Sequence, residues 1–423
     1  MFDKLSYRTV IGTILFFALV KLLVLFYFVH NFQLWEDHYI ALNILKEKSF
    51  YIYSDGIKCY SYQFPVYPFL LAVIYFISGI SPITVAIFHI ILSSFTAWFI
   101  YKVCLFFTEY FQVSEWILRK KNTVAFFSAL WFILHPAIVY YSLIQIHPFT
   151  LDIFMLFFSL YLMTKYIENK NYLPFYILTI GLTVLTRGTL VVSTIPLVII
   201  LWEKEGFIKI TKQILIIGLL AFLTNTPWLI RNYYKDGIIG YQSIAPRNLW
   251  VGSLKNGEGS NYLLNGKNYY QELSQADIVA LQKLNPKEQY DFFTDKWKKN
   301  ISDDPIGFAK LFLLKLNNFW FFRQHIGNEY SDTLKKMIPV YKMVYLIILL
   351  LACIAVFFMG WRVIALICIP IVLSLMQAFF YVETRHRLII EPILIYLAII
   401  TLFTFIVKLQ SKINAFPSPS ERD

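Results

Sequence analysis

The sequence predicts an all-α integral membrane protein, and three observations carry that prediction. Apolar residues fill 58% of 423 positions and charged residues only 15%, where a soluble globular chain carries roughly 25%. The mean hydropathy is +0.58. The apolar residues also gather into about ten runs, most of them near the length of about 20 residues that a helix needs to cross a bilayer. The abundance of Phe (40) and Tyr (29) suits a lipid-facing surface with aromatic belts at its two boundaries.

Taken in order, the runs lie near 9–29, 83–107, 123–143, 150–167, 173–187, 189–202, 211–230, 338–359, 363–382 and 388–408. The first follows Lys4 and Arg8 without a small-residue cleavage site, so it is expected to stay as a helix rather than leave as a signal peptide. The fifth and sixth are short and meet at Arg187-Gly188. The stretch 66–80 opens on Pro65-Val66-Tyr67-Pro68 and ends at Gly79. It is short for a span and predicts an interfacial helix.

Lys and Arg in short loops set the orientation. With the N-terminus inside, the inside loops hold Arg119-Lys120-Lys121, Lys165, Lys170, Lys204, Lys209, Lys212, Arg362, Lys408 and Lys412. Counting 66–80 as a full span would move the Arg119 cluster outside, a worse parity. Three parts follow: a transmembrane module over 1–230 including an external loop at 30–82, a larger external loop or cap at 231–337 with a helical segment at 286–322, and C-terminal spans with a cytoplasmic tail over 338–423. The net charge of +12 does not point to nucleic acid, because the basic residues sit at the ends of apolar runs. Of the four cysteines, Cys104, Cys353 and Cys368 fall in apolar runs and only Cys59 does not. No external disulfide pair and no clustered structural zinc set is therefore available.

In this topology the unusual polar residues gather on the outer side. Glu36 and Asp37 follow the first span; adjacent carboxylates can deprotonate a hydroxyl or hold a metal, though an acid there can also be a plain helix cap. His147 and Asp152 flank the start of the fourth span, where an ionisable residue is a functional candidate or merely favours a helix N-terminus. Arg187, Arg231, Arg385 and Arg387 are the outside exceptions to the charge rule. Arg suits bidentate phosphate binding. The plain alternatives are an i,i+4 pair of Arg387 with Glu391 and interfacial anchoring of Arg231 beside Trp228. Lys21, inside the first span, is expected to snorkel or face the bundle interior. Taken together, the acids and arginines suggest an anionic, lipid-linked ligand meeting an acid or metal centre.

Four stretches resemble a family. They are Glu36-Asp37-His38-Tyr39-Ile40-Ala41 leading to Pro65-Val66-Tyr67-Pro68; Pro227-Trp228-Leu229-Ile230-Arg231-Asn232 continuing to Arg247-Asn248-Leu249-Trp250-Val251-Gly252; Asn300 to Trp320; and Arg385-His386-Arg387-Leu388-Ile389-Ile390-Glu391-Pro392. In this order they resemble GT-C glycosyltransferases of the family 39 type, which include protein O-mannosyltransferases and the lipid A aminoarabinose transferase. The resemblance implies a GT-C fold and an inverting transferase, moving a sugar from a polyprenyl-phosphate donor to a lipid, glycan or protein acceptor. It places the enzyme in a bacterial cytoplasmic membrane, among membrane lipids, with the site facing outside. It implies that Asp37 or Glu36 is the catalytic acid, with Tyr39 nearby at a shorter spacing than the family's. A second family acid falls on Pro148, leaving His147 and Asp152 as substitutes. It leaves open a divalent metal ion on Asp37, Asp152 and His147, and implies no other cofactor. The rival reading is an O-antigen-type glycan polymerase or a lipid-linked sugar flippase; a flippase needs no positioned base. A small-anion transporter would show inverted repeats, and the sequence has none.

Overall fold

The computed structural model describes residues 6–322 and 332–414. Helices occupy all ten predicted runs. The chain opens with α1 (Tyr7–Phe28), whose Ser6 hydroxyl accepts the Thr9 amide at 3.2 Å and so caps an otherwise unsatisfied first turn. Then come β1 (Gln33–Leu34), α2 (Glu36–Glu47), the hairpin β2 (Ile52–Ser54) and β3 (Ile57–Cys59), α3 (Val66–Ser78) and α4 (Pro82–Tyr110). The short α5 (Glu115–Arg119) leads into α6 (Lys121–Leu134) and α7 (Pro136–Leu143). Pro136 forces the preceding His135 into extended backbone, φ −61° and ψ 121°, and the two helices bend by 51° there.

After β4 (Gln145–Ile146) come α8 (Phe149–Glu168) and α9 (Leu173–Thr186), which stops at the extended Arg187. A 3₁₀ helix over Gly188–Thr194 feeds α10 (Ile195–Glu205), and α11 spans Phe207–Asp236. The cap holds α12 (Ala245–Val251), α13 (Gln275–Leu281), α14 (Pro286–Asp303) and α15 (Pro305–Trp320). The chain closes with α16 (Asp332–Phe358), α17 (Ile364–Phe379), a 3₁₀ helix over Thr384–Ile389, and α18 (Glu391–Asn414).

The protein is an integral membrane protein, with six described helices long and apolar enough to cross a bilayer: α1, α4, α8, α11, α16 and α17. The bent α6–α7 pair makes a seventh if counted as one span. The expectation of about ten spans is therefore met only in part. Two of the remaining runs hold shorter helices, α9 with 14 residues and α10 with 11, and α18 begins only at Glu391. The reason is visible in the chain: Arg187-Gly188 breaks one hairpin, and the 3₁₀ segments at 188–194 and 384–389 replace the first turns of the helices that follow them. The stretch 66–80 holds α3, an apolar helix of 13 residues that is too short to count among the spans.

Contacts between the ends of different helices tell the two ends of the bundle apart. At one end Arg362 Nε meets Glu203 at 2.8 Å, Tyr110 donates to the same Glu203 at 2.8 Å, and Lys121 pairs with Glu109. At the other end sit the first loop and the cap. The cap has its own small core around Trp250, Leu263, Leu281 and Phe293. It is tied to the first loop by an Arg247–Asp55 ion pair and to the bundle by the fully buried Lys315. That ammonium donates to the carbonyls of Gly252 (2.7 Å) and Phe380 (2.9 Å), and burial pulls its pKa down to about 7. The boundary expected at residue 231 falls inside α11, which runs on to Asp236. Lys21 faces the bundle interior and donates to Ser93 at 3.3 Å.

Candidate active site

The site is assembled by a very short sheet. β1 pairs in parallel with β4, Gln33 opposite Gln145 and Leu34 opposite Ile146. This brings the residues after β1, Trp35-Glu36-Asp37, beside those after β4, His147-Pro148-Phe149. Trp35 Nε1 donates to Gln145 Oε1 at 2.6 Å, and Gln145 Nε2 donates to Tyr140 Oη at 2.9 Å. Both motifs then enter helices at once. Glu36 and Asp37 lie in the first turn of α2, and Asp152 in the first turn of α8, where the helix dipole favours negative charge. α2 is held by His38 Nδ1 against Tyr75 Oη at 2.7 Å and by Ile40 packing with Phe50, Leu185 and Trp228.

Asp37 is only 5% exposed. Burial lifts its pKa well above the ordinary carboxylate range, the charges of Glu36 and Asp152 push it further, and its own backbone and Arg187 pull the other way. Asp152 is 0% exposed. Its Oδ2 accepts from Arg187 Nε at 2.8 Å, while Oδ1 has no hydrogen-bond partner. Arg187 sits where α9 stops, with its guanidinium carbon 5.2 Å from the centre of the Phe149 ring.

His147 stacks on Phe149 with ring centres 4.4 Å apart and meets Trp35 edge-on at 5.1 Å. Burial first, then Arg385 and Arg187, hold its pKa well below the usual imidazole value, which favours neutral His147. Arg385 stands over the Trp35 ring at 5.1 Å. Tyr381 and His386 close the wall, with ring centres 5.4 Å apart. Burial raises the Tyr381 pKa, which also feels Arg385, Glu383, Arg187 and Glu36. One compartment at one end of the bundle thus gathers two buried carboxylates, a third acid and two arginines.

Of the residues singled out in the sequence, Asp37, Glu36, Asp152, His147, Arg187 and Arg385 come together here. Three do not. Tyr39 is 51% exposed, because it follows Asp37 by two positions on α2 and turns away from it. Arg231 stacks on Trp228 at 4.5 Å and donates to the carbonyl of Phe50 at 2.9 Å and to that of Tyr60; it stitches the first loop to α11. Arg387, the expected phosphate ligand, is 0% exposed and pairs with Glu391 at 2.9 Å, the plain i,i+4 alternative.

Trp35, Gln145, Tyr381 and His386 were not foreseen as site residues. Gln145 had a signal, being a lone amide in an apolar stretch two residues before His147. Among the described residues no three His, Cys, Asp or Glu side chains converge where a metal could sit, so the ion considered for Asp37, Asp152 and His147 finds no three-ligand set there. The four cysteines are free.

No protein-family model matches the chain, and no curated protein matches it in sequence. Among solved structures it is similar to the crystal structure of ArnT from Cupriavidus metallidurans bound to undecaprenyl phosphate, with 11% identity, 94% of this chain and 78% of that chain covered, and a TM-score of 0.45. A likeness of that degree assigns no role to any residue of the site.

Proposed function

We propose that the protein is an inverting glycosyltransferase that moves a sugar from a polyprenyl-phosphate carrier to an acceptor on the outer face of the membrane. The observation that carries this reading is a buried carboxylate, Asp37, sharing one compartment at one end of the bundle with Arg187 and Arg385. The acceptor hydroxyl or amine attacks the anomeric carbon and gives its proton to Asp37. The bond from that carbon to the phosphate oxygen breaks, and its electron pair stays on the carrier phosphate. Arg187 and Arg385 face the charge that grows there, so they stabilise the transition state more than the ground state. A flippase for lipid-linked sugars would share the cations but has no use for a desolvated base, and Asp37 therefore favours the enzyme.

The test is binding of undecaprenyl phosphate to the purified protein in lipid nanodiscs. Saturable binding that weakens in Arg385→Met supports the reading. Wild-type protein with no measurable affinity for this lipid would sink it.

The raised Asp37 pKa has a kinetic sign. A base works only when ionised, so kcat/KM should rise with pH through the Asp37 pKa. That acid limb should lie above the value of about 3.9 of an ordinary aspartate. A limb at or below that value, in a rate limited by chemistry, would remove Asp37 from the role.

Orientation has its own check. Lys255 in the cap has a side chain 82% exposed. Cysteine introduced there by Lys255→Cys should react with a membrane-impermeant thiol reagent in intact cells. Labelling only after lysis would turn the site to the inner face.

A further inference from the structure

The arginine that the sequence assigned to phosphate does something else. Arg387 is the centre of a buried cluster in which every group but one is partnered within the protein. Its Nε donates to Glu391 Oε1 at 2.9 Å, its Nη1 to the carbonyls of Phe321 (2.6 Å) and Phe319 (3.2 Å), and its Nη2 to Tyr341 Oη at 3.4 Å. Tyr341 in turn donates to Glu391 Oε1 at 2.6 Å, and His135 Nε2 meets Glu391 Oε2 at 2.9 Å. The remaining group is His135 Nδ1, which has no partner. The guanidinium lies 3.6 Å over the ring of Tyr345. Four elements converge on this cluster: the break between α6 and α7, the end of α15, the outer part of α16 and the start of α18.

Arg385 and Arg387 share the 3₁₀ helix Thr384–Ile389. With about three residues per turn, positions two apart point to different sides. The register that drives Arg387 into the cluster therefore turns Arg385 toward Trp35, where its guanidinium is found, and leaves His386 against Phe149 and Tyr381. Within the segment the Glu383–His386 capping box and the His386 amide bond to the Glu383 carbonyl at 2.9 Å hold the first turn, and the cluster holds the turn at Arg387.

We propose that the Arg387–Glu391–His135–Tyr341 cluster positions the donor-phosphate site from behind: it fixes the 384–389 helix so that Arg385 stands over Trp35. This rests on the functional reading above, with Arg385 as a phosphate ligand. Arg387 is then a positioning residue and touches no substrate.

The experiment compares binding of undecaprenyl phosphate and of undecaprenol, the same lipid without phosphate, to the full-length protein in nanodiscs. The readout is the ratio of the two affinities, which a general loosening of the lipid site would leave unchanged. Arg387→Met and Glu391→Gln singly should each lower that ratio by about tenfold, the scale of one misplaced charge-assisted bond. The double variant Arg387→Met/Glu391→Gln removes both charges while Gln can still bond His135 and Tyr341, and a neutralised buried pair is often tolerated. It should restore the ratio to within about threefold of wild type, whereas adding Glu391→Gln to Arg385→Met should restore nothing. A double variant as poor as Arg387→Met would overturn the proposal. Folded single variants with an unchanged ratio would overturn it too. If the charged variants do not fold, Tyr341→Phe removes one hydroxyl only. A fall of about twofold to fivefold supports the proposal, and no change refutes it. Wild-type protein that binds neither lipid would bring down the functional reading and this inference together. Wild-type binding without the double-variant rescue would bring down the inference alone.

Discussion

Asp37→Asn is expected to lower transfer by about 10²–10⁴-fold, the contribution of a positioned general base, without loss of folded protein. The rival role, a helix cap, would predict almost no effect, since Asn caps as well as Asp. The structure already weakens that rival: the N-cap of α2 is Trp35, with no side-chain cap bond. Stability separates the two roles further. Because the Asp37 pKa is raised on folding, the folded protein binds its proton more tightly than the unfolded chain does. That favourable contribution is complete at low pH and is lost as pH rises through the folded pKa. Asn carries no such charge, so the variant should gain melting temperature relative to wild type as pH increases, while remaining inactive. Glu36→Gln is the control and should cost less, because Glu36 is half-buried and lies outside the Asp152–Arg187 contact. Equal, near-wild-type rates in both variants would end the general-base assignment. Loss only in Glu36→Gln would move it to Glu36.

How far the chain could be read in advance depended on the range of the interaction. Apolar runs report burial in lipid, a property of each residue alone, and helices appear in all ten of them. What the runs did not show was length. Whether 173–187 and 189–202 were full spans depended on the helix end at Arg187, and there Arg187 pairs with Asp152 of another helix at 2.8 Å. The arginines divide for the same reason. Arg385 and Arg387 are indistinguishable by type, boundary position and spacing. A single 3₁₀ helix sends one to Trp35 and the other to Glu391, and 3₁₀ register is set by what surrounds the segment. Arg231 looked like a ligand because its motif did, but carbonyls of a loop some 170–180 residues away take its donors. The pairing of β1 with β4, two residues each and about 110 positions apart, is too short to leave any periodic signal. Yet it brings Trp35 to Gln145 and His147.

Arg187→Met is expected to reduce transfer by about 10²–10³-fold, comparable to removing one donor from an oxyanion site, and to move the acid limb of the rate profile to higher pH. The reason is electrostatic. Arg187 is among the charges that lower the Asp37 pKa, and Asp152 among those that raise it. Without Arg187, Asp152 loses the partner of its Oδ2 and repels the developing carboxylate at Asp37 with less compensation. Asp152→Asn does the opposite. Its amide oxygen can still accept from Arg187 Nε, so the arginine keeps its place, while one negative charge leaves the neighbourhood of Asp37. The acid limb should then move to lower pH, with a smaller loss of maximal rate because the Arg187 cation survives. The pair is therefore read by the direction of two shifts measured on the same rate profile, and a general loss of structure would not produce opposite signs. If both variants shifted the limb the same way, or neither moved it, the limb would not belong to Asp37, and the base would have to be sought at Glu36.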